Sequence, residues 1–278
     1  MIKLFVLDLD GTLLNSNNDI SKENIEALNS LSDTGVKIVF ASGRVLTSLR
    51  YYMNKINLKS SMIANNGAII AIDENNILKR YDIEENKIER LIKFSNENNM
   101  YFHMYDEDTF YARRLDEKRI HHLIIDENLG KKYQVDLVFS ENPLKIAMQR
   151  KRKILKFQIT ANNMSQEEVV ERLKQIEELS DLYMTFSGFS TVEIMNGKVN
   201  KYNSILELSD FLGINKNEIA AIGDFDNDIE MIENAKLGFA MGNARDSVKE
   251  ISDYVVSSNN SFGIKEAVEK IKEFNRNA

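Results

Sequence analysis

The chain contains no cysteine and no tryptophan, and only one proline, Pro143, among its 278 residues. Without cysteine it has neither a disulfide framework nor a thiolate metal site. A single proline leaves no Pro-rich linker to mark a domain boundary. No apolar run approaches the ~20 residues of a membrane span, so no membrane contact is expected. The first apolar stretch is short and ends in two acids, unlike the basic, apolar and small-residue succession of a secretory leader. A cytoplasmic address fits. Basic charge is in deficit: 36 Lys and Arg against 43 Asp and Glu leave −7, which argues against nucleic acid as a partner. What is present, 43% hydrophobic and 28% charged residues, is enough for one large globular domain or two ordinary ones.

The stretch Lys3-Leu4-Phe5-Val6-Leu7-Asp8-Leu9-Asp10-Gly11-Thr12 reads as a buried strand cut off by a turn. Asp8 and Asp10, at i and i+2, face one side together, which is costly unless a cation or a shared proton relieves the repulsion. Asp10-Gly11 is also a good two-residue hairpin turn, and this stretch alone leaves both readings open. The chain that follows weakens the hairpin. Ser21 caps a helix to about residue 34, stopped by Gly35. Residues 36–41 form a second apolar strand, Ser42-Gly43-Arg44 leads into a helix to about residue 55, and Met62-Ile63-Ala64 runs into Asn65-Asn66-Gly67. Strand–helix alternation predicts a parallel sheet, whose ligands bind beyond the carboxyl ends of the strands. All three loops fall at that edge.

After a hairpin (68–72 and 77–81) the texture changes. Between about 83 and 188, helices (84–98, 116–127, 165–179) mix with strands (101–105, 109–113, 154–160, 182–186) and further elements around 135–139 and 141–149. In this region 154–160 alternates as a half-buried strand, and Ser165 with Glu168 forms a capping box. The expected fold class is therefore α/β: a doubly wound, Rossmann-like parallel core (1–82 and 189–278) with an inserted α+β domain (83–188). The core resumes with a strand at 191–195, a helix at 200–212 stopped by Gly213, and a strand at 219–222 ending in Gly223-Asp224. Asp226 is expected to cap a helix at 228–234. Strands at 237–241 and 254–256 and a last helix from Phe262 complete it.

Gly223-Asp224-Phe225-Asp226-Asn227-Asp228 is a second acidic loop closing a buried strand. Alone it reads equally well as a turn capping a helix. With Asp8 and Asp10, however, two acidic clusters occupy the same kind of position, and an all-carboxylate oxygen set suits a hard cation such as Mg²⁺. His121 and His122 would diverge on a helix rather than converge on a metal. Arg150-Lys151-Arg152-Lys153 reads as a solvated loop. Tyr101, His103, Tyr105 and Tyr111 alternate on strands, either lining a surface over the site or packing against helices.

In this order, Asp8-Leu9-Asp10-Gly11-Thr12, Ser42-Gly43-Arg44, Lys201, and Gly223-Asp224 through Asn227-Asp228 resemble the motifs of the haloacid dehalogenase superfamily. The large insert, and Val192-Glu193-Ile194 ahead of Lys201, resemble its Cof-type phosphatase branch with an α/β cap. The resemblance implies a Mg²⁺-dependent phosphatase that hydrolyses small phosphorylated metabolites, sugar phosphates foremost, through an aspartyl-phosphate. It implies Asp8 as nucleophile and Asp10 as general acid, then base. Mg²⁺ would be held by Asp8, the Asp10 carbonyl and Asp224, with Asp228 in support. Ser42 and the Gly43 N–H, at a helix N-terminus, would contact phosphate, and Lys201 would offset the negative charge. Without that context Lys201 reads as a solvated helix lysine. Asn66 and Asn227 are further binding candidates, and Arg44 either binds substrate or braces its loop. A phosphomutase of the same fold and a non-hydrolytic phosphometabolite sensor are the alternatives. Phe225 and Tyr202 stand where that branch has smaller residues. Oligomeric state is not legible.

Overall fold

The computed structural model describes residues 1–116, 120, 123, 133–187 and 190–278. In chain order the strands and helices of its first part are β1 (Leu4–Leu7), α1 (Lys22–Ser32), β2 (Lys37–Ala41), α2 (Leu46–Lys55), β3 (Ser61–Ala64), β4 (Ile69–Ala71) and β5 (Ile77–Arg80). Then come α3 (Glu85–Glu97), β6 (Phe102–Tyr105), β7 (Thr109–Ala112), β8 (Asp136–Phe139), α4 (Pro143–Gln149), β9 (Lys156–Thr160), α5 (Gln166–Lys174), β10 (Tyr183–Ser187) and β11 (Thr191–Met195). Last are α6 (Lys201–Leu212), β12 (Ile219–Gly223), α7 (Ile229–Glu233), β13 (Leu237–Ala240), α8 (Asp246–Glu250), β14 (Tyr254–Val255) and α9 (Gly263–Arg276). Among the described residues no helix is long and apolar enough to cross a membrane.

The first sheet has eight strands in the order β14-β13-β12-β1-β2-β3-β4-β5. β1 is central, and its four residues are wholly buried, as a strand covered on both faces requires. It pairs in parallel on both sides, with Leu4 opposite Ile219 of β12 and Lys37 of β2. An Asp10-Gly11 hairpin would instead lay an antiparallel strand against it, so that reading is excluded. The hairpin at β4–β5 is real and antiparallel, and it extends the sheet. Strand order runs outward one way through β2 and β3 and the other way through β12, β13 and β14. The sheet is doubly wound, and the crevice between the carboxyl ends of β1 and β12 is its switch point. Local chemistry sets the helix ends: the Ser21 side chain accepts from Asn24 N to start α1, and Asn200 accepts from Asn203 N to start α6.

Among the described residues the second sheet has six strands in the order β10-β11-β9-β6-β7-β8. It is antiparallel except between β7 and β8. One of its faces is apolar, with Met104, Tyr111, Phe157, Ile159, Val192 and Ile194 packed in one cluster with Leu91 of α3, Leu144 of α4 and Leu173 of α5. Tyr111 therefore belongs to the helix-packed face, while Tyr101, His103 and Tyr105 take the opposite one.

Four expectations change. β11 lies in the second sheet, between β10 and β9, so the chain rejoins the first sheet after Met195; a strand buried on both faces reads alike in either place. β9 is buried along its whole length rather than half-buried, because its polar face meets the other sheet. Ser165 does accept from Glu168 N, but the Glu168 side chain pairs with Arg172 at 2.6 Å instead of closing the box. Asp226 caps nothing: it pairs with Arg245, and Phe225 precedes the one-turn helix Asp226–Asp228. Most of the helix expected at 116–127, with His121 and His122, lies outside the described residues. The basic run does lie at the surface, Arg150 pairing with Asp136 and Arg152 with Asp108.

Candidate active site

The carboxyl ends of β1 and β12 bring the two acidic loops together. Asp8 N continues the strand ladder by donating to Ile222 O. The Asp8 side chain is buried, and its Oδ1 accepts from Lys201 Nζ at 2.6 Å. The same ammonium donates to Asp228 Oδ1, also at 2.6 Å. Lys201 is only 1% exposed, so the solvated-lysine reading fails. It is the first residue of α6, where the helix dipole disfavours a cation; the two carboxylates supply what holds it there.

Asp228 is fully buried, and its Oδ2 accepts from Asp224 N at 3.0 Å and Phe225 N at 3.2 Å. It braces the acidic loop as well as the lysine. Gly223 permits this, since a Cβ there would sit 2.4 Å from the Asp228 carboxylate. Asp224 Oδ1 accepts from Thr12 Oγ1 at 2.9 Å. Gly11, at φ +77°, turns under that carboxylate, where a Cβ would fall 2.3 Å from Asp224 Oδ2. Both position and conformation therefore demand glycine. The guanidinium of Arg245 covers the Phe225 ring, 3.8 Å from its centroid, which gives this aromatic a loop-bracing contact.

Asp10 is separated from this buried cluster. Its side chain is half exposed, and Arg44 grips it in a two-pronged pair: Nε to Oδ2 at 2.8 Å and Nη2 to Oδ1 at 2.6 Å. Arg44 is itself buried, lying over the Tyr52 ring. The alternative in which Arg44 braces the loop is the one its contacts match. Ser42 Oγ accepts from Arg44 N at 3.2 Å, which leaves its hydroxyl proton for another partner. Gly43 is not at a helix N-terminus; the N-cap of α2 is Val45, and Leu46 N already donates to Glu107 O. The turn Asn65-Asn66-Gly67, left-handed at all three residues, is pinned to this loop by Asn65 N to Arg44 O and Asn66 N to Ser42 O. Asn66 and Asn227 meet each other, Asn227 Nδ2 donating to Asn66 Oδ1 at 3.1 Å.

Electrostatically the cluster is over-supplied with negative charge. Burial, opposed by Lys201, holds the Asp8 carboxyl well above the usual carboxylate range, and Asp228, Asp224 and Asp10 push the same way. Burial and then the Asp228 charge push Asp224 up to about 7. Burial works against the Lys201 charge, but Asp228 and Asp8 outweigh it and keep the amine above the ordinary lysine range. Carboxylate oxygens of Asp8, Asp224 and Asp228 lie within 4.8 Å of one another. That donor set is all oxygen and anionic, and it fits a hard divalent cation.

Two buried groups of the second sheet also reach this edge, Lys156 and Glu193, with Gln158 and His103 buried behind them. Lys156 Nζ donates to Gly43 O at 2.5 Å, and Asn66 Nδ2 donates to Glu193 Oε2. Glu193 had a signal in the sequence, an acid set between Val192 and Ile194 in an otherwise apolar strand. Lys156 and Gln158 had only their alternation with Phe157 and Ile159.

A doubly wound sheet carries paired acidic loops at its switch point and is overlaid by a second sheet, and with the family and relatives that match it the chain is a phosphoric monoester hydrolase. A family model described as haloacid dehalogenase-like hydrolase matches residues 5–268, and the chain belongs to that family. It is similar to the 5-amino-6-(5-phospho-D-ribitylamino)uracil phosphatase YcsE of Bacillus subtilis, 29% identical over 267 residues, 96% of this chain and 94% of that one. A phosphoglycolate phosphatase of Methanobrevibacter smithii is 26% identical over 269 residues, 97% of this chain and 98% of that one. The crystal structure of a haloacid dehalogenase-like hydrolase from Bacteroides thetaiotaomicron has a TM-score of 0.81 at 25% identity, covering 98% of this chain and 100% of that one.

Proposed function

We propose that the protein is a Mg²⁺-dependent phosphatase that hydrolyses small phosphorylated metabolites, sugar phosphates foremost, through an aspartyl-phosphate at Asp8. The observation that carries this reading is Lys201 held between Asp8 and Asp228 at the end of β1. It orients one oxygen of Asp8 and leaves the other to attack phosphorus. In the first step the Asp8 carboxylate forms a bond to phosphorus while the bond to the leaving oxygen breaks, and Asp10 protonates that oxygen. In the second, Asp10 takes a proton from water, whose oxygen displaces Asp8 and releases phosphate. Arg44 forks the two Asp10 oxygens, so it pairs with the carboxylate that remains after the first proton transfer. Ser42 and Lys201 contact the phosphoryl oxygens, and Asn66 and Asn227 order the loops beside them. Asp8, Asp224 and the Asp10 carbonyl would hold the cation, with Asp228 supporting them; when bound, it screens the attacking carboxylate from phosphate and stabilises transition-state charge.

The same reading treats the second sheet and its helices as a cap inserted into a catalytic core. Its start stays at about residue 83, and its end moves from 188 to beyond Met195. A cytoplasmic location and a small-molecule rather than nucleic-acid partner, the latter in keeping with −7, complete it.

Phosphate release from a broad phosphoester panel tests the proposal. Release is expected with Mg²⁺, lost on chelation and restored by re-addition. Tight binding without release from any ester would instead establish a sensor, and an isomerised phosphoester a mutase. A second prediction follows from charge. Asp224 keeps its proton to about 7 when folded but only to roughly 4 when unfolded. Between those values the folded state binds more protons, so the metal-free protein loses stability as pH rises. A cation replaces the proton, so its stabilisation grows over the same window. Mg²⁺ is expected to raise the thermal midpoint by several degrees near about pH 8 and much less near about pH 5. An equal rise at both would show that the cation binds elsewhere.

A further inference from the structure

We propose that Glu107 is a positioning residue for phosphoryl transfer: from the tip of the β6–β7 hairpin it holds, through Leu46 and Val45, the loop that carries Ser42 and Arg44. This goes beyond the phosphatase reading and rests on it.

Helix α2 starts without a cap of its own. Its N-cap is Val45, which makes no side-chain hydrogen bond to the helix and belongs to the residue class least suited to that position. The orphan N–H of Leu46 finds its partner in the other sheet, donating to Glu107 O at 3.2 Å. The Val45 side chain goes the same way: it is 1% exposed and packs with Tyr105, Phe110 and Ala112 of β6 and β7. Asn65, whose backbone N–H donates to Arg44 O, donates its side-chain Nδ2 to Asp106 O at 3.0 Å. One hairpin tip thus meets both the Ser42–Leu46 loop and the asparagine turn that is pinned to it.

The tip is itself fixed. The buried Asp106 carboxylate accepts from Asp108 N at 2.9 Å, Thr109 N at 2.8 Å and the Tyr111 hydroxyl at 2.8 Å, which closes the turn on its own side chain. Glu107 then ties the turn to the first sheet. Its Oε2 accepts from Arg80 Nε at 3.0 Å and Nη2 at 2.7 Å, and its Oε1 lies 3.7 Å from Arg50 Nη2, one turn into α2. Arg80 is half exposed, and so wet a pair stabilises a fold little. Its effect is one of place: the carboxylate sets where the Glu107 carbonyl meets Leu46. The same short loop carries Arg44, whose fork orients Asp10, and Ser42. Displacing it would misplace a phosphoryl contact and the proton-transfer group together, and a shift of about 1 Å can cost about 100-fold in rate.

Two variants test this by different routes. Glu107→Lys sets a third cation against Arg50 and Arg80 and drives the tip away, whereas Val45→Ala removes an apolar contact and no charge. Each Mg²⁺-loaded variant is assayed on acetyl phosphate, p-nitrophenyl phosphate and ribitol 5-phosphate, and for inhibition by orthovanadate, which mimics the five-coordinate phosphoryl group in transfer. On all three substrates kcat/KM is expected to fall by one factor, at least about tenfold for Glu107→Lys and about threefold for Val45→Ala. The vanadate inhibition constant should rise by a similar factor, because the loop serves the transition state whatever the leaving group. Glu107→Gln, which still accepts from Arg80, should lose less than about threefold. Circular dichroism confirms that each variant is folded. A loss confined to ribitol 5-phosphate would mean that the hairpin serves the leaving group alone. Lower rates with an unchanged vanadate constant would mean only fewer folded molecules. Either result overturns the proposal, as would wild-type rates in Glu107→Lys. Inability of the wild-type protein to hydrolyse any of the three substrates would count against the phosphatase reading itself.

Discussion

Replacing Asp8 with Asn is expected to lower kcat by at least about 10⁴-fold while leaving the thermal midpoint at or above that of the wild type. The two halves of this expectation have different causes. An amide cannot displace an alkoxide from phosphorus at a useful rate, so no aspartyl-phosphate forms and both later proton transfers are idle. The fold, in contrast, loses nothing it depends on. The introduced amide keeps a carbonyl oxygen for Lys201 Nζ, now 2.6 Å from Asp8 Oδ1. It also removes one negative charge from a cluster in which Asp8 is buried and its carboxyl strongly destabilised in ionised form. Steady-state phosphate release, trapping of the acid-stable mass of the phosphoenzyme and a thermal melt check the three statements separately. A variant retaining activity within about tenfold of wild type would remove Asp8 as the nucleophile.

Lys201→Met should damage activity and stability together. Methionine fills a similar volume but offers no charge, so Asp8 and Asp228 are left facing each other in a site where neither reaches water. Removing one partner of a buried charge cluster costs about 3–5 kcal/mol, which for a chain of this size is a fall of about 10 °C in thermal midpoint. Catalysis should fall at least about 10³-fold, since both the orientation of Asp8 and a cation at the phosphoryl group are lost. The sign of the pH dependence follows from the carboxylates. With Lys201 gone the folded-state proton affinity of Asp8, already raised by burial, rises further, so the variant binds more protons folded than unfolded and loses stability as pH rises above about 4. The gap between wild type and variant is therefore smallest in mild acid and widest near neutrality. A melt that shows the same small gap at every pH would mean that Lys201 is not what neutralises the pair.

Particular residues show what could be read in advance. The strand Leu4–Leu7 announced itself, because a strand covered on both faces must be apolar throughout. Ser21 announced a helix start, because its side-chain oxygen satisfies a backbone N–H group that no helix can satisfy for itself. Other positions followed contacts that no local pattern encodes. Asp226 has the right chemistry for a cap, yet Arg245, 19 positions away, takes it, and Asp228 holds the loop instead. Arg44 could bind substrate or brace its loop, and the residue its fork holds, Asp10, lies 34 positions back. Thr191–Met195 is a strand in any reading, but only pairing with β9 and β10 assigns it to the second sheet.

The sequence by itself determined the elements, the class of fold and the residue types at each strand end, because periodicity and capping are local consequences of backbone geometry. The tertiary structure decided which of those ends meet. Lys201 and Asp8 are 193 positions apart, and the partner that turns an ordinary helix lysine into the buried centre of the site is supplied by sheet order. The face Glu193 shares with Gln158 and His103 arises in the same way. Strand register, set by packing the apolar side of the second sheet, carried the polar side over the carboxyl edge of the first.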